Sequence, residues 1–541
     1  MDIAATCIND IIRQLEDPTI LCDPAACRNL MAKVMNMIGR GVDVSNLSPH
    51  IAKLLAHPDP MVKKVACEFV CVQTEKSSDL MLLVVNSLLR DCSDSSPMTR
   101  GLSLRTLSSL RQESASEHIL QAVQKGLVDH SSYVRRIAIL SAVRLHRLSP
   151  DLVIEMGIVD KLYSLIRDSD PVVVVNCLLA LEEILKDEGG VVINQKMVYH
   201  LLLSMPKFTS WGQAYVLTLL KKYTLKSEEE TFDILNILDT HLQESSYSVF
   251  MHSLQLFLLY ISTLPHLKEK VLFRCKEMFV SGLNSGNVEL TYSIIVFIEN
   301  FLDDSKSVFC ECYKSFFCRF KEPPYLKIRK IEILPRLVTP HNFLEILGEL
   351  RMYCSEVSSM VSFSAMKAIG QISKQDTDYF DRCVQKLEEL LEIPEDSVWA
   401  NVLQVFELLD LRSYARLDNL MQIICSKSHL QPTNENGCCA NLFLIGEYGH
   451  LLDDSPYILE EFIGNYLEEC PDVIRTYLLT AVMKLFLMRP AKCQHLLGRL
   501  LEVCVASRNK DLNSKAYNYY YLLKQGPEFA KEIVLNKRFS H

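Results

Sequence analysis

Apolar residues recur along this chain with the 3.6-residue period of an amphipathic helix. In one clear stretch Val174, Cys177, Leu178, Leu181 and Leu185 stand at offsets 0, 3, 4, 7 and 11, while Asn176, Glu182, Glu183 and Lys186 fill the opposite face. A common phrase precedes several such stretches: His57-Pro58-Asp59-Pro60-Met61-Val62-Lys63, Asp94-Ser95-Ser96-Pro97-Met98-Thr99-Arg100, Asp129-His130-Ser131-Ser132-Tyr133-Val134-Arg135 and Asp168-Ser169-Asp170-Pro171-Val172-Val173-Val174. Pro60, Pro97, Ser132 and Pro171 are 37, 35 and 39 residues apart, the period of two-helix solenoid repeats.

The phrase reads as a helix start. Asp59, Ser96, Ser131 and Asp170 are expected to accept hydrogen bonds from orphan backbone N–H groups as N-caps, and proline fits the first helical position, where no donor is needed. One such helix pair cannot bury its apolar stripe alone, so successive pairs must stack. The expected fold is therefore all-α, a right-handed α-solenoid of HEAT/armadillo-like helix pairs, with roughly 14 pairs at this period. The pattern blurs after Asn300, Lys321-Glu322-Pro323-Pro324 signals a loop, and the repeat returns at Val357-Ser358-Ser359-Met360-Val361. A single trunk over residues 1–541 is expected, with a flexible break near 303–325.

Composition agrees with a helical array. Glycine (18) and proline (20) are scarce for 541 residues, and 49% of the chain is hydrophobic but only 8% aromatic. The formal net charge of −9 argues against nucleic acid as a partner, because phosphate neutralisation needs a strong excess of Lys and Arg. The 19 cysteines lie scattered among apolar residues, without the short length or framework of a disulfide-stapled domain, which points to a reducing compartment. Met1-Asp2-Ile3-Ala4-Ala5 lacks the basic and apolar regions of a signal peptide. Ser245 to Leu267 carries no Asp, Glu, Lys or Arg, yet it contains His252, Gln255, Ser262, Thr263 and Pro265 and is expected to be buried between neighbours rather than to span a bilayer. A cytosolic protein that sits peripherally on membranes fits these features.

Candidate chemistry is sparse. No glycine-rich phosphate loop, HExxH pair or GxSxG elbow occurs, and Gly189-Gly190 lacks the spacing of a nucleotide loop. Cys310-Glu311-Cys312 with Cys318 is the densest metal-like group, but Phe309, Phe316 and Phe317 surround it and favour packing. Cys438-Cys439 lacks the CxxC redox spacing, and His146, beside Arg144 and Arg147, reads as a surface or satisfied polar residue. Leu178-Leu179-Ala180-Leu181-Glu182 fits a loose clathrin-binding pattern, but its leucines belong to a helical stripe. No catalytic, cofactor-binding or metal-ligating residue is assigned, no cofactor is expected, and the chain is not expected to be an enzyme.

Several phrases resemble the trunk of beta-type adaptins, the large chains of vesicle adaptor complexes. They include Asn86-Ser87-Leu88-Leu89-Arg90-Asp91-Cys92-Ser93-Asp94, Tyr133-Val134-Arg135-Arg136, Trp211-Gly212-Gln213, Glu349-Leu350-Arg351-Met352-Tyr353, Ala368-Ile369-Gly370, Gly446-Glu447-Tyr448 and Leu478 to Leu487. Leu162 to Asp168, Asn176-Cys177-Leu178 and Glu188 to Asn194 are most similar to the beta chains of the fourth adaptor complex. The resemblance implies a non-enzymatic trunk. It would assemble with a second large adaptin of epsilon type, a medium (mu) chain and a small (sigma) chain, and be recruited by an Arf-type GTPase to the cytoplasmic face of trans-Golgi network or endosomal membranes for cargo sorting. By the same resemblance, Leu82 and Val85 on an early helix are the candidate GTPase contacts. Complete cargo pockets are expected on other subunits.

Two departures limit what carries over. Cys22-Asp23-Pro24-Ala25-Ala26-Cys27-Arg28 is not polybasic where some beta adaptins carry a lipid-binding lysine stretch, and the hinge and ear of longer family members are expected to be absent. The rival readings are another solenoid transport receptor of importin type, with a cargo chain in its concave face, and a cryptic enzyme or metal protein built on the Cys310 region.

Overall fold

The computed structural model describes residues 2–535 apart from 75–77, 111, 243–245, 263–264, 304, 394, 428–433 and 468–469. Among them there are only α- and 3-10 helices joined by short loops, and the chain forms two compact units, Met1–Thr263 and Leu264–His541.

In the first unit, the helices Pro24–Gly39, Pro60–Thr74, Pro97–Ser108, Ser132–Leu148, Pro171–Ile184, Ser210–Leu220 and Tyr247–Tyr260 pack side by side as one layer. The helices between them, among them Ser78–Asp91, Ser116–Leu127, Ile158–Leu165 and Glu228–His241, form the second. The expected stripe lies between the layers: Val174 is 4% exposed, and Cys177, Leu178 and Leu181 are fully buried. This is the α-solenoid that the repeat period implies.

The caps follow the expectation in part. Asp170 Oδ1 accepts from Val172 N at 2.8 Å, and Asp59 Oδ1 accepts from Met61 N at 3.1 Å. Ser96 and Ser131 hold extended cap conformations but make no side-chain cap bond. Instead the carboxylates two residues earlier take the serines' own amides, Asp94 from Ser96 N (2.7 Å) and Asp129 from Ser131 N (2.8 Å).

Ser245 to Leu267 is not one span. Tyr247–Tyr260 is a layer helix with Phe250, Leu254, Leu256 and Phe257 buried, a separate helix starts at Pro265, and residues 245 and 263–264 lie outside the described residues. No described helix is long and apolar enough to cross a membrane.

The second unit repeats the plan. Val288–Glu299, Pro324–Ile333, Ser359–Ser373, Asp396–Glu407, Glu435–Tyr448, Asp472–Met488 and Lys510–Gln525 form one layer. The stretch 303–325, where a flexible break is expected, lies within this unit, and the division between the units falls at 263/264. Where a full second-layer helix would stand, the chain makes only a short helix, Lys306–Phe309, and a 3-10 turn, Tyr313–Phe316. These pieces bury Val308, Phe309 and Phe316 but are too short to show a helical period. The Lys321–Pro324 loop is pinned by Glu322, which pairs with the fully buried Lys330 at 2.6 Å, and just before it the Tyr353 hydroxyl accepts from Cys318 N at 2.8 Å.

Candidate functional site

A line of ion pairs runs through the loops of the first unit. Arg28 reaches Asp59 (2.6 Å), Lys63 reaches Asp91 (2.7 Å), Arg100 reaches Asp129 (2.9 Å) and Arg135 reaches Asp168 (2.8 Å), and Arg136 pairs with Asp170. Arg100 and Arg135 are bidentate, and each also donates to two carbonyls of its own loop. Burial alone would raise Asp129 and Asp168, but their arginine hydrogen bonds hold both carboxyls below the usual range. Lys63, Arg100 and Arg135 each stand three residues after Pro60, Pro97 or Ser132. The same position in the next repeat is Val174, and there the ladder ends. Nothing within the phrase itself marks a partner for these bases; the signal in the sequence is an aspartate about one repeat downstream of each.

The ladder also accounts for Arg28. In the stretch Cys22 to Arg28, where some beta adaptins are polybasic, the one base is tied to Asp59, and Cys27 is fully buried.

The candidate GTPase contacts lie on the Ser78–Asp91 helix. Val85 is 4% exposed and belongs to the core between layers, whereas the side chain of Leu82 lies outside the described residues. The solvent side of this helix's last turns shows Asn86 and Arg90.

The cysteine groups behave as packing residues. The Cys310, Cys312 and Cys318 thiols donate to the carbonyls of Ser307, Phe309 and Lys327, and no group of three metal-ligating side chains converges among the described residues. Burial pushes Cys318 and Cys438 up to about 12 and Cys439 up to about 11, which keeps these thiols protonated and poor as nucleophiles or ligands. His146 differs from the expectation of a satisfied polar side chain: its Nδ1 is buried with no hydrogen-bond partner. In the clathrin-like stretch Leu178 and Leu181 are fully buried within a helix, so no extended peptide is available there.

Two of the adaptin-like phrases meet in the second unit. Gly446 lies so close to the Asp472–Met488 helix that a Cβ there would stand 2.8 Å from Ala481 Cα, Glu447 pairs with Lys484, and the Tyr448 hydroxyl accepts from Leu411 N at 3.1 Å. An open cavity of about 320 Å³ lies over this contact, lined by Phe443, Gly446, Thr480, Lys484 and Lys515 among others. In the first unit Trp211 is 86% exposed, while the neighbouring Gln213 is buried and donates to Met205 O at 3.0 Å. Gly446, Glu447, Tyr448 and Gln213 thus fix helix packing.

The adaptin N-terminal region family model matches residues 5–527. The chain is 38% identical over 536 residues to AP-4 complex subunit beta-1 of Mus musculus, covering 98% of this chain and 72% of that one. It is 32% identical to beta-adaptin-like protein A of Arabidopsis thaliana and 29% identical to AP-4 complex subunit beta of Dictyostelium discoideum, in each case spanning 62% of the relative's length. Among structures, a homology model of the full-length AP-3 complex in an intermediate open conformation aligns with TM-score 0.61 at 20% identity, covering 96% of this chain and 93% of that one. A structure of Kap95p bound to RanGDP aligns with TM-score 0.62 at 12% identity, covering 97% and 74%. These two likenesses speak for the fold alone, so the importin-type reading rests on architecture, whereas the adaptin reading rests on sequence along nearly the whole chain. The chain belongs to the adaptin N-terminal region family, as a beta adaptin.

Proposed function

We propose that this chain is the beta-subunit trunk of a heterotetrameric adaptor complex of the AP-4 type. It would act by protein–protein surfaces on the cytoplasmic side of membranes, sorting transmembrane cargo at the trans-Golgi network or endosomes. The observation that carries the proposal is the 38% identity to an AP-4 beta subunit over 98% of this chain. The expected partners are a second large adaptin of epsilon type, a mu chain and a sigma chain, with an Arf-type GTPase as recruiter. Binding replaces catalysis in this reading: GTPase and cargo shift the assembly between closed and membrane-open forms through their differential affinity for the two.

For the GTPase contact the candidates remain Leu82 and Val85. Because Val85 is 4% exposed, its role in this proposal is to support the helix from beneath, and Leu82 is the residue to test. The assay is recruitment of the assembled complex to liposomes bearing a GTP-loaded Arf-type GTPase. Leu82→Asp is expected to abolish recruitment with helicity intact, and Val85→Asp to lower the melting temperature as an ordinary core substitution. Full recruitment by a folded Leu82→Asp complex would overturn the contact assignment.

A further inference from the structure

The neighbouring helices Pro97–Ser108 and Ser132–Leu148 carry six arginines and no acidic residue. Arg100, Arg135 and Arg136 are neutralised by ladder aspartates at the helix starts. Arg105, Arg144 and Arg147 collect towards the other ends. Gly101 brings the helices together: a Cβ there would lie 2.4 Å from the Tyr133 ring and 2.8 Å from Ile137 Cδ1. The close packing lets Arg144 lie across Pro97–Ser108, where it donates to Ser109 Oγ at 2.7 Å and to Ser108 Oγ and the Arg105 carbonyl at 3.3 Å. All of these acceptors are uncharged. Among the described residues, Arg147 alone of these three arginines pairs with a carboxylate, Glu183 at 2.9 Å, and that pair is open to solvent at 67% and 45% side-chain exposure. Burial, together with the like charges of Arg105 and Arg147, holds the Arg144 guanidinium below its usual range.

Exposed leucines adjoin these cations. Arg105, Leu140 and Leu179 stand eight residues into three successive helices of the same layer, which open at Pro97, Ser132 and Pro171. Leu140 is 48% exposed and Leu179 42%. Glu68 stands eight residues into the preceding layer helix and Glu183 twelve residues into the following one, level with Arg144, which confines the positive strip to about the width of two helices, roughly 20 Å.

We infer that Arg105, Arg144, Arg147, Leu140 and Leu179 form a docking surface for an acidic, aliphatic segment of a partner protein. Crowded guanidinium groups, of which Arg144 bonds only to neutral acceptors and Arg147 only to a solvent-exposed carboxylate, are met best by carboxylates, which take two N–H donors each. The adjacent leucines lose water only if the same segment brings apolar side chains. A flat anionic bilayer would have to approach Glu68 and Glu183 as well, so the strip favours a narrow chain over a membrane. This inference does not depend on the adaptor reading.

The test uses the full chain and a fluorescein-labelled peptide alternating glutamate and valine, read by anisotropy, with the glutamine–valine peptide and phosphatidylserine vesicles in parallel. Saturable binding of the glutamate peptide is expected. It should weaken about tenfold with Arg105→Glu and Arg147→Glu together, weaken with Leu140→Ser, and fall with added salt. All three substitutions are at exposed positions, and circular dichroism checks that each variant is folded. No saturable binding, equal binding of the glutamine peptide, or unchanged affinity in the folded charge-reversal variant would overturn the inference. Arginine-dependent binding of the vesicles without binding of the peptide would overturn it in favour of a lipid site.

Discussion

Replacing Arg135 by Met asks whether the ladder holds the repeats together. The native side chain makes two charge-assisted bonds to Asp168, at 2.8 and 2.9 Å, and two more to the carbonyls of Asp129 and His130, at 2.8 and 3.0 Å. Bonds to charged groups contribute roughly 1.5–3 kcal/mol each, so the Asp168 pair alone has a gross value of roughly 3–6 kcal/mol. Side-chain exposures of 14% for Arg135 and 7% for Asp168 leave some solvent screening, which brings the expected cost to about 2 kcal/mol. The loss should be local, because each repeat of a solenoid is held chiefly by its neighbours. Native-state hydrogen exchange reads this directly. The Ser131 and Asp170 amides, which donate to Asp129 and Asp168, should exchange roughly 30-fold faster, while amides of the second unit stay unchanged. Arg135→Met combined with Asp168→Leu should cost less than the sum of the single changes, since no charge is left unpaired. A cost of Arg135→Met below about 0.5 kcal/mol would place the ladder with ordinary surface pairs and refute the reasoning.

Three further expectations follow from the same geometry. Asp59, Asp129, Asp168 and Asp170 are all held below the usual aspartate range, so their stabilisation is complete above pH about 4 and is lost as pH falls through the depressed values; acid melts should destabilise the chain steeply below pH about 4, and a melting temperature flat from pH 5 to 2.5 would contradict this. Gly446→Val should destabilise the second unit by about 3 kcal/mol or more in urea unfolding, because Ala481 Cα, 2.8 Å from the new Cβ, is backbone and cannot step aside. Glu322→Gln should cost about 3 kcal/mol by leaving the fully buried Lys330 without its counter-charge, and Glu322→Gln with Lys330→Met should recover much of that loss.

The first unit was largely legible because its signals are local. A 3.6-residue stripe such as Val174 to Leu181 and a cap such as Asp170 are written within one helix, and both were found. The ladder was not, since Arg135 and Asp168 are 33 residues apart and nothing local marks them as partners. The same holds for Ser96 and Ser131, whose capping role depends on which carboxylate the loop turns inward. The repeat blurs near 303–325 because a short helix and a 3-10 turn bury their phenylalanines without making a period. Val85 shows the limit for surfaces: an i, i+3 apolar pair on a helix reads alike whether it faces a core or a partner. The Arg105–Arg144–Arg147 group was hidden for a related reason, since only the packing of one helix on the next brings those side chains together. The adaptin-like phrases are informative because their residues serve particular packing contacts: Gly446 leaves no room for a Cβ against Ala481, and Gln213 donates to the buried Met205 carbonyl.

The most direct test of the central claim is a native pull-down with this chain as bait from cytosol, with quantitative mass identification of what is retained. The adaptor reading predicts one second large adaptin, one medium chain and one small chain, each in equimolar amount with the bait. Recovery of none of these, with nuclear-transport cargo or a Ran-type GTPase retained in stoichiometric amount instead, would contradict it.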